Sequence, residues 1–285
     1  MDHPFLNERT IDSVEAHMRV IQWALVFPLM IPLLLSPCQV VLAASCSSRA
    51  TEDIVIAIDV GHIARQPLQQ CQRGKVCSWG ETSARGVPEY DFNIKLATRV
   101  SDELISEGFR STRLLIPRVG TTLAQRADLA NAMNANVFIS VHHDGINDDY
   151  LNKWTYGGQT LYFFDQSNGF SLHVAPSNPK YLESLELARL IADQLIEKGL
   201  NFNRIHEAWK PWGARKPYAD STRGIYKRDD LALLRALKMP AVLLEGGVIV
   251  NRDEELLIAT PAYQVNIASA VANAITEFCR PRKTL

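Results

Sequence analysis

Three short apolar runs punctuate the chain: Ile54-Val55-Ile56-Ala57-Ile58-Asp59, Ala135-Asn136-Val137-Phe138-Ile139-Ser140-Val141-His142, and Ala241-Val242-Leu243-Leu244-Glu245-Gly246-Gly247. Each is rich in β-branched and aliphatic residues and ends in polar residues beside Gly or Asp. That is the pattern of a buried parallel strand handing its last residues to a loop. Helical periodicity fills the intervals. Glu89 to Glu107 sets Phe92, Leu96, Val100 and Leu104 at intervals of four, with Gly108 as a stop. Leu123 to Asn134 and Leu182 to Lys198 repeat the pattern, the latter with Leu185, Ala188, Ile191, Ala192 and Leu195 inward and Gly199 at its end. Pro261 to Phe278 predicts a closing helix with proline in its first turn. Strands alternating with helices predict one three-layer α/β domain from about Thr51 to Phe278. In such sheets ligands sit beyond the carboxyl ends of the strands, so three ends that carry His or Glu mark a common site.

Two stretches depart from this rhythm. From Asp144 to about Thr222 the chain reads as a loop-rich insertion, with a strand-like Gln159-Thr160-Leu161-Tyr162-Phe163-Phe164 and a basic, aromatic segment from Trp209 to Tyr218 that would wall a cleft or pack on the domain edge. Near the start, Val20 to Leu35 is apolar but shorter than the roughly 20 residues of a membrane span, is interrupted by Pro28 and Pro32, and is followed by Ala43-Ala44-Ser45. This predicts an export signal and leader over residues 1–45 and a catalytic domain over 46–285. Asp2, Glu8, Asp12 and Glu15 against Arg9 make a poor start to a signal, so Met18-Arg19 is the expected beginning of translation.

The 285 residues are 47% hydrophobic and 21% charged, too apolar for a disordered chain and too charged for a multispanning membrane protein. Thirty Lys and Arg against 31 Asp and Glu leave a formal charge of -1, so no nucleic-acid partner is expected. Five cysteines without a Cys-x-x-Cys pair exclude a disulfide miniprotein and a zinc ribbon. In an oxidising compartment Cys71 and Cys77 are placed to close a short disulfide loop. Cys46, just after the small residues, is a candidate lipid attachment point, although Ala43 stands where a lipoprotein signal usually carries Leu.

Asp59-Val60-Gly61-His62, Glu89 at a helix start, and Ser140-Val141-His142-His143-Asp144 at a strand end offer the donors of a zinc hydrolase: two imidazoles and a carboxylate, with a position left for water. A further carboxylate must move the water proton to the leaving group, and Glu245 is placed for it. Each residue has a plainer reading. His62 suits a turn, and Glu89 suits the positive end of a helix dipole. Glu245 is harder to dismiss, because an unpaired carboxylate in an apolar strand is costly. Strand alternation puts His142 and His143 on opposite faces, so one of them points at the metal, and spacing alone does not choose.

Taken in order, Asp59-Val60-Gly61-His62, Glu89, Phe138-Ile139-Ser140-Val141-His142 and Pro240-Ala241-Val242-Leu243-Leu244-Glu245-Gly246-Gly247 resemble the zinc-dependent N-acetylmuramoyl-L-alanine amidases of the type 3 family. Pro117-Arg118, Leu123, Arg126, Ala130-Asn131 and Asn251 are lesser landmarks of the same likeness. The resemblance implies a mixed central sheet flanked by helices, Zn2+ held by His62, Glu89 and His142, and Glu245 as catalytic acid and base. It implies an enzyme that cuts the amide between N-acetylmuramic acid and L-alanine in peptidoglycan, which fits the export signal, and the leading expectation is an exported monomer of the periplasm or cell envelope. Ile63-Ala64 after the first histidine, Tyr90 after the glutamate and His143-Asp144 after the second histidine depart from the family pattern. Some family members carry a helix that blocks the metal until an activator protein displaces it, and here Glu183, Glu186 or Glu207 would be the blocking carboxylate. Two alternatives are an inactive peptidoglycan-binding protein of the same fold and a zinc peptidase of the stem peptide.

Overall fold

The computed structural model describes residues 46, 48–64, 79–207 and 216–281, all within the unit Leu42–Leu285. The apolar runs become β1 (Ile56–Val60), β3 (Val137–Asp144) and β9 (Ala241–Val248). Between the first two lie α1 (Glu89–Ser106), β2 (Arg113–Leu115) and α2 (Leu123–Ala132). After β3 come the hairpin β4 (Asn152–Tyr156) and β5 (Gln159–Phe163), then β6 (Ser171–Val174), α3 (Tyr181–Glu197), the ribbon β7 (Tyr218–Asp220) and β8 (Ile225–Lys227), and α4 (Ala232–Ala236). The short α5 (Glu254–Ile258) and α6 (Pro261–Phe278) follow β9. The central sheet has seven strands in the order β2-β1-β3-β9-β6-β8-β7. β2, β1, β3 and β9 are parallel, β6 runs antiparallel to β9, and β7 antiparallel to β8, so the sheet is mixed.

Alternation along the strands divides the core. Ile56, Ile58, Val60, Val137, Ile139, Val141, Val242 and Leu244 share one apolar cluster with Leu96 and Val100 of α1, Leu187 and Ile191 of α3, and Ile267 and Val271 of α6. Ala57, Phe138, Ala241 and Leu243 face the other way, toward Ala127 and Ala130 of α2 and Leu233 and Leu234 of α4. Three layers follow, as the periodicities predict. The helix ends are fixed locally. Thr122 and Gln125 form a capping box on α2, and the Thr260 hydroxyl accepts from the Tyr263 N–H at the start of α6, where Pro261 needs no partner.

The segment read as an insertion is in part framework: β6 is fully buried beside β9, and α3 packs on α6. Only Leu172 and Val174 of β6 join the apolar cluster, while Ser171 and His173 alternate into polar contacts, so four residues carried too little apolar signal to read as a strand. A disulfide joins Cys46 to Cys279, 233 residues apart, tying the start of the domain to the end of α6. The Cys46 sulfur is therefore engaged and has no valence left for a thioether lipid, which corrects the reading of Cys46 as an attachment point. Cys71, Cys77, the apolar run Val20 to Leu35 and the proposed start at Met18 lie outside the described residues. Among the described residues, no helix is long and apolar enough to cross a membrane.

Candidate active site

The registers Val60 with Val141 and His142 with Glu245 bring the carboxyl ends of β1, β3 and β9 level, so residues far apart in sequence meet at one edge of the sheet. The turn after β1 is held from below. Arg126 of α2 donates to both carboxylate oxygens of Asp59 and, at 2.8 Å, to the Val60 carbonyl, and Ser140 Oγ donates to Asp59 at 2.7 Å. Gly61 follows because nothing larger fits: a Cβ there would lie 2.6 Å from the His142 ring and 2.7 Å from Asn93 Nδ2. His62 then takes a left-handed φ of 64°, a conformation costly for a residue with a Cβ and common where function requires it.

Glu89, the first residue of α1, is 2% exposed and must find partners for its charge. Its Oε2 lies 3.0 Å from His62 Nε2 and accepts from the Glu81 N–H at 3.0 Å. Its Oε1 lies 3.0 Å from His142 Nδ1 and accepts from Asn93 Nδ2 at 3.0 Å and the His143 N–H at 3.2 Å. One donor atom from each of His62, Glu89 and His142 falls within 4.8 Å of the others. Burial favours the neutral form of Glu89, but His62 and His142 outweigh it and hold the carboxyl well below its ordinary range. Burial likewise disfavours a charged His62, and the Glu89 carboxylate overcomes it and raises the pKa. His142 is lowered, first by burial. His143, whose Nδ1 lies 2.8 Å from Asn93 Oδ1 and whose ring tilts against Phe92, is pushed by burial to about 4 and takes no place in the group. Two imidazoles and a carboxylate converging in this way are a donor set that fits a divalent metal of the zinc class.

Glu245, next to His142 across the β3–β9 pair, is half-buried, and its Oε2 is buried and unpartnered among the described residues. Burial first, then the Asp144 and Glu89 carboxylates, raise its pKa well above the ordinary value. It opens on a cleft of about 310 Å³ together with the three-residue group. Glu81 also lines the cleft, its pKa raised to about 7 by burial and by Glu89 and Asp148. Asp144, after a bulge in β3, accepts from Asn203 Nδ2 at 3.2 Å and lies 2.8 Å from His206 Nε2. Behind it Ser171 Oγ bridges toward His173 Nε2 at 3.0 Å.

The fold, the register and this donor geometry have a counterpart among known proteins. The model of the N-acetylmuramoyl-L-alanine amidase family matches residues 56–277 of the chain. The chain belongs to this family. Its members are hydrolases that act on peptidoglycan. An N-acetylmuramoyl-L-alanine amidase of Mycobacterium tuberculosis is 25% identical over 84% of this chain and 92% of its own length. Among solved structures, an N-acetylmuramyl-L-alanine amidase of Mycobacterium smegmatis superposes with a TM-score of 0.59 at 21% identity, covering 81% of this chain and 99% of that one. The CwlD amidase of Clostridioides difficile, solved in complex with the GerS lipoprotein, shares the fold with a TM-score of 0.52 at 19% identity, covering 79% of this chain and 98% of that one.

On this family framework the structure brings together His62, Glu89, His142 and Glu245. Neither Glu183 nor Glu186 is among the described residues lining the cleft, and Glu183 instead pairs with Lys180 at 2.8 Å, at the start of a helix packed on α6; the side chain of Glu207 lies outside the described residues. Asn93, Asp144, His206, Lys216 and Arg228 escaped the sequence reading. Asn93 was within reach of it, since it stands four residues after Glu89 on the same helical face. Asp144 and Lys216 stood in segments the sequence singled out, at the β3 end and in the basic stretch Trp209 to Tyr218, without a role assigned to them, and His206 and Arg228 carry no local pattern.

Proposed function

We propose that the chain is a Zn2+-dependent hydrolase of the amide between the lactyl group of N-acetylmuramic acid and L-alanine in peptidoglycan, with His62, Glu89 and His142 holding the metal. The observation that carries this is the convergence of those three donors beside Glu245, whose Oε2 is buried and unpartnered among the described residues, at one cleft of the family fold. When bound, a divalent ion would add positive charge beside the carboxylates of this cleft, polarise the lactyl carbonyl and lower the pKa of water. Glu245 takes a proton from the attacking water as the new C–O bond forms. Its raised proton affinity then lets it deliver that proton to the alanine nitrogen as the C–N bond breaks. Glu89 keeps both imidazoles oriented, and Gly61 and Gly80 leave room for them, since a Cβ would lie 2.6 Å from the His142 ring at the first and 2.5 Å from His62 Cδ2 at the second.

The inactive binding protein is disfavoured by the completeness of the donor set and by the cost of burying Glu245 without a task. Residues 1–45 are proposed to direct export and residues 46–285 to form the catalytic domain, acting as a monomer. A substrate outside the cytoplasmic membrane and a disulfide suited to an oxidising compartment support this. A protein activator is proposed by analogy with the C. difficile amidase solved with a lipoprotein. The test is chelation followed by zinc titration against a purified muramyl peptide. Activity lost on chelation and restored at one equivalent of zinc is expected, and full activity in chelator would contradict the metal's role.

A further inference from the structure

The ribbon β7–β8 folds back on itself, so the residues flanking it arrive together: Lys216 before β7 and Arg228 after β8. Backbone bonds fix both. Lys216 N–H donates to the His206 carbonyl at 3.1 Å, Lys227 N–H to the Pro217 carbonyl at 2.8 Å, and Arg228 N–H to the Val174 carbonyl at the end of β6 at 2.8 Å. Both side chains meet one carboxylate. Lys216 Nζ lies 3.2 Å from Asp230 Oδ2, while Arg228 donates Nε to Oδ1 and Nη2 to Oδ2, each at 2.9 Å. Among the described residues Arg228 Nη1 has no hydrogen-bond partner. Lys216 and Arg228 line the same cleft as His62, His142 and Glu245, and they are the Lys and Arg of its described lining, which is otherwise acidic through Glu81, Glu89, Asp144 and Glu245. One carboxylate shared by two cations leaves this wall with a net positive charge and an oriented, unused donor. In a cleft that acidic, a fixed positive wall is suited to drawing in an anion.

We propose that Arg228, with Lys216, forms a subsite for a carboxylate of the stem peptide on the leaving-group side of the scissile amide. The inference rests on the amidase reading and names a specificity within it. In the substrate so read, the N-acetyl sugars are uncharged and the lactyl carboxyl is consumed in the bond to be cut, so the anion must belong to the peptide. The first carboxylate past L-alanine is the α-carboxyl of the next residue, a glutamate that continues the chain through its side chain. With about 3.8 Å between successive Cα atoms, it falls roughly 6 Å from the scissile nitrogen, and Arg228 and Lys216 line the same cleft as the three donors. A planar guanidinium engaged with Asp230 on one edge receives that carboxylate on the other, and a neutral carboxamide in its place receives less from a cation.

The experiment uses the full, zinc-loaded protein and two muramyl peptides that differ only in whether the second residue carries a free α-carboxylate or its carboxamide. Turnover is compared for wild type, Arg228→Gln and Lys216→Gln, and equilibrium binding of both peptides is measured on Glu245→Gln with and without Arg228→Gln. Wild type is expected to prefer the acid in kcat/KM by about ten-fold or more, as a hydrogen bond to charge implies. Arg228→Gln should collapse that ratio toward one, and Lys216→Gln, at a partly exposed position, should reduce it in part with unchanged thermal melting. Equal rates on acid and amide in wild type, or a ratio untouched by Arg228→Gln, would overturn the subsite. Preferential binding of the acid that depends on Arg228, with no release of an L-alanine amino terminus from either peptide, would uphold the subsite and overturn the amidase reading.

Discussion

At Glu245 a carboxyl group titrates higher in the folded protein than in the unfolded chain, and the sign of its effect on stability follows. The folded state binds that proton more tightly, so the contribution is complete below the ordinary carboxyl value of about 4.3 and is lost as pH rises through the raised one. Metal-free Glu245→Gln is therefore expected to be more stable than metal-free wild type at pH 8, with the gain fading toward pH 4. Urea melts across that range check it, and parallel pH profiles would contradict it. Gly80, at a φ of 81°, would place a Cβ against Glu89 Oε2 and 2.5 Å from His62 Cδ2. Gly80→Ala should weaken zinc affinity by at least about ten-fold in competition with a chromophoric chelator, and unchanged affinity would show that the turn yields. The meeting of His62, Glu89, His142 and Glu245 at one cleft was legible because His62, His142 and Glu245 stand at the ends of apolar runs and Glu89 opens a periodic helix. The choice of His142 over His143 was not legible from alternation alone. It depends on which face of β3 meets Glu89, and on Asn93, which ties His143 into the α1 side.

Among the elements, the apolar strands and long helices were the readable part. α6 spans the predicted Pro261–Phe278, and α1 and α3 differ from their periodicities only at the ends. Such segments announce themselves because one core face repeats over several turns. β2, β6, β7 and β8 have three or four residues each, and their pairing is set by tertiary neighbours rather than by a pattern of their own. β6 matters most, since it sets Ser171 opposite Glu245 and carries the polar residues behind the cleft. The β1 end depends on a buried ion pair in the same way. Arg126→Ala would leave Asp59 charged and buried, and is expected to cost about 3–5 kcal/mol in urea unfolding. A loss below about 1 kcal/mol would mean that Ser140 alone satisfies Asp59.

For the whole molecule, the bond between Cys46 and Cys279 closes nearly the entire domain into one loop. Cross-links of this kind restrict the unfolded chain, so Cys279→Ser is expected to lose about 2–5 kcal/mol under oxidising conditions and little beyond that on adding reductant. Equal stability of wild type with and without reductant would contradict it. The same bond accords with a chain that works outside the cytoplasm on a polymer it meets there. The most direct test of the central claim is mass spectrometry of whole peptidoglycan digested by the zinc-loaded protein, with Glu245→Gln in parallel. Intact stem peptides with a free L-alanine amino terminus, released by wild type and absent from the zinc-retaining variant, are the predicted result. A new amino terminus inside the stem peptide, or equal release by Glu245→Gln, would contradict the account.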